Sequence, residues 1–139
     1  MDLISRISEN FSESAHLKLQ SMDALAGPIA TAAEHMVQCF KHDGKILACG
    51  NGGSAADAQH LAAEFVSKLA RDRDPLAAKA LTVDSSILTA ICNDYGYDEI
   101  FARQVSDKMR ANDVFLGITT SGKSPKISSR RCGAAGMWA

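Results

Sequence analysis

His60 and Glu64 stand four residues apart in the run GNGGSAADAQHLAAEFVSKL. On a helix, that spacing places them one above the other on a single face. A carboxylate there can take a proton from carbon, and an imidazole can move a proton between oxygens. The same two groups can instead hold a divalent metal such as zinc. Leu61, Phe65 and Leu69 run down a neighbouring face and mark the side turned to a core. Taken alone, the pair also reads as an ordinary exposed helix pair. The chemical reading gains weight from what precedes it, Asn51-Gly52-Gly53-Ser54. Adjacent glycines allow positive φ and close approach of a ligand to the main chain. Ser54 is placed to cap the following helix, and Asp57 completes a capping-box pattern. Such a helix start offers N–H groups and a favourable dipole to a phosphate. A tight strand-to-helix turn with a good cap is the plainer reading of the same residues.

A second loop, Thr119-Thr120-Ser121-Gly122-Lys123-Ser124-Pro125, carries four hydroxyls directly after an apolar run. Ser124 followed by Pro125 reads as an N-cap and first helical position. With Gly117, the string GITTSGKS formally matches the nucleotide P-loop pattern. Gly117, however, lies inside the apolar run VFLGI rather than in a glycine-rich turn, so nucleotide hydrolysis is set aside. Two hydroxyl- and glycine-rich loops at adjacent strand ends fit one phosphorylated small molecule. His60 and Glu64, one to two turns away, then suit the reactive carbon of a sugar phosphorylated at its far end. Asn93-Asp94 reads as a turn that either hydrogen-bonds sugar hydroxyls or only shapes the chain. His16, His35 and His42 have no comparable companions, and Arg71 and Arg73 could reach a phosphate but read first as solvated loop residues.

These residues need elements to hold them. Leu3, Ile4, Ile7, Phe11 and Ala15 recur at helical spacing, as do Ile29, Ala33, Met36, Val37 and Phe40. Two helices are expected, divided near Gly27-Pro28, and the stripe on the first suggests packing between subunits. Lys45–Cys49, Ala80–Val83 and Val114–Ile118 read as short buried strands. Helices are expected from Ser54 for about fifteen residues, from Asp84 or Ser85 to about Cys92, and from Glu99 to Met109. Strands that are continuous apolar runs, alternating with helices, predict an α/β fold with a parallel sheet covered on both faces. Ligands of such sheets sit beyond the carboxyl ends of the strands, where both loops fall.

The chain has 139 residues, 46% of them apolar and 22% charged, which is a globular balance. A net charge of -1 argues against a broadly basic nucleic-acid binder. No apolar stretch is long enough to span a membrane, and MDLISRISENF does not read as a signal peptide. Cys39, Cys49, Cys92 and Cys132 form no CxxC pair and read as buried small hydrophobes of a reduced, cytoplasmic protein, with a pocket-lining role for Cys92 as the lesser alternative. The charge is uneven: residues 1–113 hold 11 basic and 16 acidic side chains, whereas residues 114–139 hold four basic ones and no acid.

The strings CGNGGSAADAQHLAAEF, TAICNDYGYDEIFARQV and NDVFLGITTSGKS resemble the bacterial phosphoheptose isomerases, also called sedoheptulose 7-phosphate isomerases, of the sugar isomerase (SIS) fold. The likeness runs from near residue 3 to about residue 127. It implies a flavodoxin-like parallel sheet with N-terminal helices, assembled as a cytoplasmic homotetramer. The implied reaction converts sedoheptulose 7-phosphate to D-glycero-D-manno-heptose 7-phosphate through an enediol, for heptose-containing glycans such as the lipopolysaccharide core. Carried over, Asn51, Gly52, Gly53 and Ser54 form the substrate loop, and Asn93 and Asp94 line the substrate. Thr119, Thr120, Ser121 and Ser124 bind its phosphate, Glu64 is the catalytic base, and His60 with Glu64 ligates zinc. The family usually has serine at the position of Thr119 and asparagine at that of Lys123.

The same resemblance places a further catalytic histidine, and a glutamine near the metal, on a helix well beyond Ser124. The organisation expected is therefore an N-terminal helical segment (1–42), a partial SIS domain (43–127) incomplete at its C-terminus, and an atypical tail (128–139). Impaired turnover, and zinc that needs ligands not present in this chain, are expected with it. Two other functions fit the fold. One is a non-catalytic SIS module that binds the bacterial replication initiator protein, against which the retained Glu64 argues. The other is a sugar-phosphate-sensing domain, which normally accompanies a second domain.

Overall fold

The computed structural model describes residues 2–122 and 136–138 of the chain. It divides into two compact units, Met1–His35 and Met36–Ala139. The first is the greater part of helix α1, Leu3–Lys41. Asp2 caps that helix, its carboxylate accepting from the Ser5 N–H at 2.8 Å. Pro28 lies inside α1, so the expected division into two helices at Gly27-Pro28 does not occur. Proline removes one N–H and one helical bond, but its fixed φ is itself helical. On an exposed helix, water can take up the carbonyl that the missing donor would have reached. Leu3, Ile4, Phe11, Leu19 and Ile29 are each more than 60% exposed in the chain.

The second unit carries the sheet. Its strands are β1 (Ile46–Gly50), β2 (Ala78–Ala80), β3 (Val114–Ile118) and β4 (Gly136–Trp138), in the order β2-β1-β3-β4. All three pairings are parallel. This is the beginning of the doubly wound, flavodoxin-like order, so the expected α/β class holds. β3 spans the residues read from the sequence. β2 begins two residues earlier than expected, because the chain has already turned by Thr82 and Val83. β4 lies in the segment expected to be an atypical tail (128–139), and its three residues are too few to show a period.

Helix α2 (Gly53–Val66) contacts β1, β2 and β3. Helices α3 (Ser85–Tyr95) and α4 (Ile100–Lys108), joined by the short 3-10 turn Tyr97–Glu99, serve the other face. Leu47, Cys49, Leu81, Phe101, Val105 and Phe115 form a buried cluster there, with Leu88 and Ile91 of α3 packed against it. Side chains alternate along a strand, which leaves Ile46 and Ala48 for the face that α2 covers with buried Ala58 and Ala62. Both faces of β1 are therefore buried, which is why it reads as an unbroken apolar run. Phe40 completes the α2 side, its ring 5.3 Å from that of Phe65. Among the described residues, no helix is long and apolar enough to cross a membrane.

The amino ends of β1 and β3 are tied by a buried carboxylate. Asp113 accepts from Lys45 N at 2.9 Å, from Arg110 N at 2.8 Å and from the Lys45 ammonium. Burial pushes its carboxyl up, but the Lys45 side chain and the two backbone donors outweigh this and hold it below the ordinary carboxylate range.

Candidate functional site

The glycine loop sits where β1 ends against α2. Gly50, the last residue of β1, has no room for a side chain: an added Cβ would lie 2.4 Å from Ser54 O. That close approach requires glycine at Gly50, which the sequence reading did not single out. Gly52 is the N-cap of α2 with φ 57, a left-handed conformation that favours glycine. It makes no side-chain cap bond, so the expected capping box is corrected. Ser54 lies within the first turn and is buried, and no Asp57 contact completes a box. The glycine fold-back itself starts the helix, with Ser54 N bonded to Asn51 O at 3.1 Å and Ala55 N to Gly52 O at 3.1 Å. Among the described residues, nothing lies within 4 Å of a Cβ built at Gly52 or Gly53.

The hydroxyl loop is the neighbour of this turn. Gly50 pairs in register with Ile118, so Asn51 and Thr119 leave adjacent parallel strands. The chain passes from β1 to β2 on one side and returns to β3 on the other. The two loops thus flank the switch point of the sheet, where ligands of open α/β sheets bind. Thr119 is half-buried, and Thr120, Ser121 and Gly122 are exposed. Ser124 lies outside the described residues.

A cavity of about 250 Å³ opens beside the glycine loop on the β2 side. Its polar lining includes Asn51, Thr82, Thr89, Cys92 and Tyr97, over a floor of Ile100 and Phe101. Cys92 is exposed there, which departs from the buried thiol expected of it and matches the lesser alternative of a pocket-lining residue, whereas Cys39 and Cys49 are buried as expected. Tyr97 Oη donates to Asn51 Oδ1 at 3.0 Å and fixes which way the amide points. Thr82, Thr89 and Tyr97 were not predicted; an exposed tyrosine in a Gly-Tyr turn carries no sequence signal of its partner.

Asn93 and Asp94 are not in a turn as expected but in the last turn of α3, which ends only at Gly96 with φ 93. Positive φ makes Gly96 the natural stop, so the polar pair before it stays helical. Both are exposed, and Asn93 Nδ2 donates to Asp94 Oδ1 at 2.9 Å. Neither lines the cavity.

His60 and Glu64 share a face of α2 as predicted, with His60 Nε2 3.4 Å from Glu64 Oε1. The His60 side chain is 77% exposed and that of Glu64 31%. Both lie farther along α2 than the glycine loop and outside the cavity. Among the described residues, no group of three or more His, Cys, Asp or Glu side chains gathers as metal ligands. Two donors fall short of the three protein ligands that zinc takes at a catalytic site. Arg73 is not a free loop arginine: it bonds the end of α2 through Glu64 O and Phe65 O, both at 2.9 Å. A wider hollow of about 580 Å³ on α4, lined by Glu99, Arg103 and Asp107, has none of the predicted residues among its described lining.

The model of the SIS domain family matches residues 10–129. The chain is 55% identical over 127 residues to a phosphoheptose isomerase of Aromatoleum aromaticum, covering 91% of this chain and 64% of the relative. It is 54% identical over 127 residues to that of Dechloromonas aromatica, covering 91% and 65%. The solved phosphoheptose isomerase from Neisseria gonorrhoeae superposes with a TM-score of 0.83 at 52% identity, over 91% of this chain and 65% of the other. The one from Francisella tularensis gives 0.86 at 41% identity, over 91% and 66%. The chain thus spans a little under two thirds of the length of these relatives.

Proposed function

This chain belongs to the SIS domain family, and on that premise we propose that its site handles a phosphorylated ketose as an aldose–ketose isomerase does. Its substrate in this reading is sedoheptulose 7-phosphate, and the product is D-glycero-D-manno-heptose 7-phosphate. The observation that carries the proposal is the 55% identity over 127 residues to a phosphoheptose isomerase.

In this reading the loops at the ends of β1 and β3 hold the substrate. Asn51, Gly52, Gly53 and Ser54 anchor it at the start of α2, with Asn93 and Asp94 toward its hydroxyls. Thr119, Thr120, Ser121 and Ser124 take the phosphate. Glu64, still a third exposed, is the base. It removes a proton from the carbon next to the ketone, and the C–H electrons form the enediol double bond as the carbonyl oxygen gains a proton. Returning the proton to the former carbonyl carbon, while the other oxygen loses its own, completes the aldose. His60, adjoining Glu64, is placed to move protons between the oxygens. Zinc belongs to the proposal only as a half-site at His60 and Glu64, and no step here depends on it.

A second copy of the chain is proposed to cover the exposed apolar stripe of α1, as part of a homotetramer. A cytoplasmic setting is proposed with it, in keeping with the buried Cys39 thiol.

The test is deuterium wash-in: sedoheptulose 7-phosphate is incubated with the chain in D2O, and exchange next to the carbonyl is followed by NMR. This half-reaction needs only the base. The expected result is catalysed exchange that falls by about 10²-fold or more in Glu64→Gln. Exchange unchanged in Glu64→Gln removes Glu64 as base, and no exchange above the uncatalysed rate removes the isomerase reading. Full turnover is expected to rise in a chimera carrying the remaining third of the Neisseria gonorrhoeae relative, because the resemblance places a second acid–base histidine there.

A further inference from the structure

We infer that Arg73 is a positioning residue for Glu64, acting through the backbone at the end of α2. Glu64 lies two residues before the last residue of α2, Val66. The last carbonyls of a helix have no intrahelical donor, and an end left to water frays. Here the end is closed from three directions. Ser67 N bonds Ala63 O at 2.8 Å, and Leu76 N bonds Phe65 O at 3.0 Å. Arg73 supplies the rest: one terminal nitrogen donates to Phe65 O at 2.9 Å and the other to Glu64 O at 2.9 Å. The first also donates to Asp74 O at 3.0 Å, which fixes the guanidinium to its own loop.

The fork geometry matters. A planar guanidinium reaches two successive carbonyls at once and is pre-organised to do so, whereas an ammonium is a point donor. A cation is also favoured at the negative end of a helix. The clamp spans eight or nine residues of sequence and pins the loop 67–77 to the helix end. Its consequence falls on Glu64, whose own carbonyl is one of the two held. With that carbonyl held, the Glu64 Cα and the Cα–Cβ bond from which its side chain starts are held as well. A carboxylate that must meet one carbon–hydrogen bond is sensitive to displacements of about 1 Å. Loop residues Asp72 and Lys68 contribute only an exposed pair at 3.5 Å, so they serve as controls.

The inference rests on Glu64 being the base of the proposed isomerase. The experiment uses the full chain with Arg73→Ala, Arg73→Lys and the control Asp72→Ala. Two quantities are read: the deuterium wash-in rate against sedoheptulose 7-phosphate concentration, and the carbonyl ¹³C shifts of Glu64 and Phe65. The expected result for Arg73→Ala is a rate lower by about tenfold with the half-saturating concentration unchanged, and both carbonyl shifts moved. Arg73→Lys, which can restore one bond, is expected to recover part of the rate and one of the shifts. Asp72→Ala is expected to change neither. Unaltered exchange in both Arg73 variants, with the native chain active, overturns the positioning role and leaves the isomerase reading standing. So does a loss confined to half-saturation. Exchange absent from the native chain sinks the isomerase reading and this role with it, and the carbonyl shifts then still report whether the clamp exists.

Discussion

The two ends of the sheet are built from similar polar residues and use them differently. At the amino ends of β1 and β3, polar groups close on one another. Asp113 takes two backbone N–H groups and the Lys45 ammonium, Asn112 Nδ2 donates to His42 O at 3.0 Å, and a Cβ at Gly44 would lie 2.3 Å from Asn112 O. At the carboxyl ends, no described residue comes within 4 Å of a Cβ built at Gly52 or Gly53, Thr120 and Ser121 are exposed, and a cavity opens beside Asn51. One end holds the strands in register. The other leaves backbone and hydroxyl groups accessible to an anion or a sugar. Under the proposed function, stability belongs to one end and recognition to the other, and each prediction below can break that division.

The largest effect is expected at Asp113. Asp113→Ala removes a carboxylate whose side chain is 3% exposed and leaves Lys45 N and Arg110 N without their acceptor. The expected loss is about 2–4 kcal/mol in urea unfolding, toward the low end because the Lys45 side chain is a third exposed and partly screened. Acid should reproduce part of it. The folded Asp113 carboxyl lies below its unfolded value, so its contribution is fully present above the ordinary carboxylate range. It is lost as pH falls through the depressed folded value. Asp113→Asn is expected to flatten that acid limb while leaving deuterium wash-in per folded molecule unchanged. Wash-in that falls with stability across this series would show that the two ends are not separable.

Next comes Gly50, a tightly packed residue of the open end three positions before Gly53. Gly50→Ala places a methyl 2.4 Å from Ser54 O, and the backbone of β1 or α2 must move. A destabilisation of about 1–3 kcal/mol is expected from such overpacking. Gly53→Ala, where a Cβ meets nothing within 4 Å, is expected to be neutral or to stabilise by about 0.5 kcal/mol. Thermal unfolding of the two variants side by side measures the contrast. Equal losses would mean that the glycine loop is packed throughout and is not an open cradle.

The same contrast explains what was legible in the sequence. Elements fixed by burial could be read: β3 as an apolar run, and the parallel order from alternating strands and helices. The cap of α3 could be read as Asp84 or Ser85 from local chemistry, and it is Asp84, its carboxylate accepting from Ile87 N at 3.0 Å. The His60–Glu64 pair could be read because helical spacing alone brings it together. Features fixed by what the chain meets in space could not. Ser54 carries a strong capping signal, yet the tight approach of Gly50 draws it into the first turn and buries it. Asn93-Asp94 carries a turn signal, yet Gly96 is the residue that ends α3. Pro28 signals a break that an exposed helix tolerates. Arg73 and Tyr97 acquire their roles from carbonyls and an amide eight to forty-six residues away.

The smallest predicted effect is the most discriminating. Tyr97 Oη donates to Asn51 Oδ1 in an exposed setting, so Tyr97→Phe removes one bond and buries no orphan. Thermal stability should change little. Asn51, however, borders the cavity, and its amide orientation decides whether it presents N–H or C=O to a ligand. Half-saturation for sedoheptulose 7-phosphate in the wash-in assay is expected to rise by about fivefold or less, the equivalent of under about 1 kcal/mol. The counterpart at the other end is Asn112→Ala, which deletes the bond to His42 O. That variant should lower the unfolding midpoint and leave half-saturation alone. If Tyr97→Phe instead behaves like Asn112→Ala, the Tyr97–Asn51 bond belongs to the scaffold, and the recognition surface begins only at the glycines beyond it.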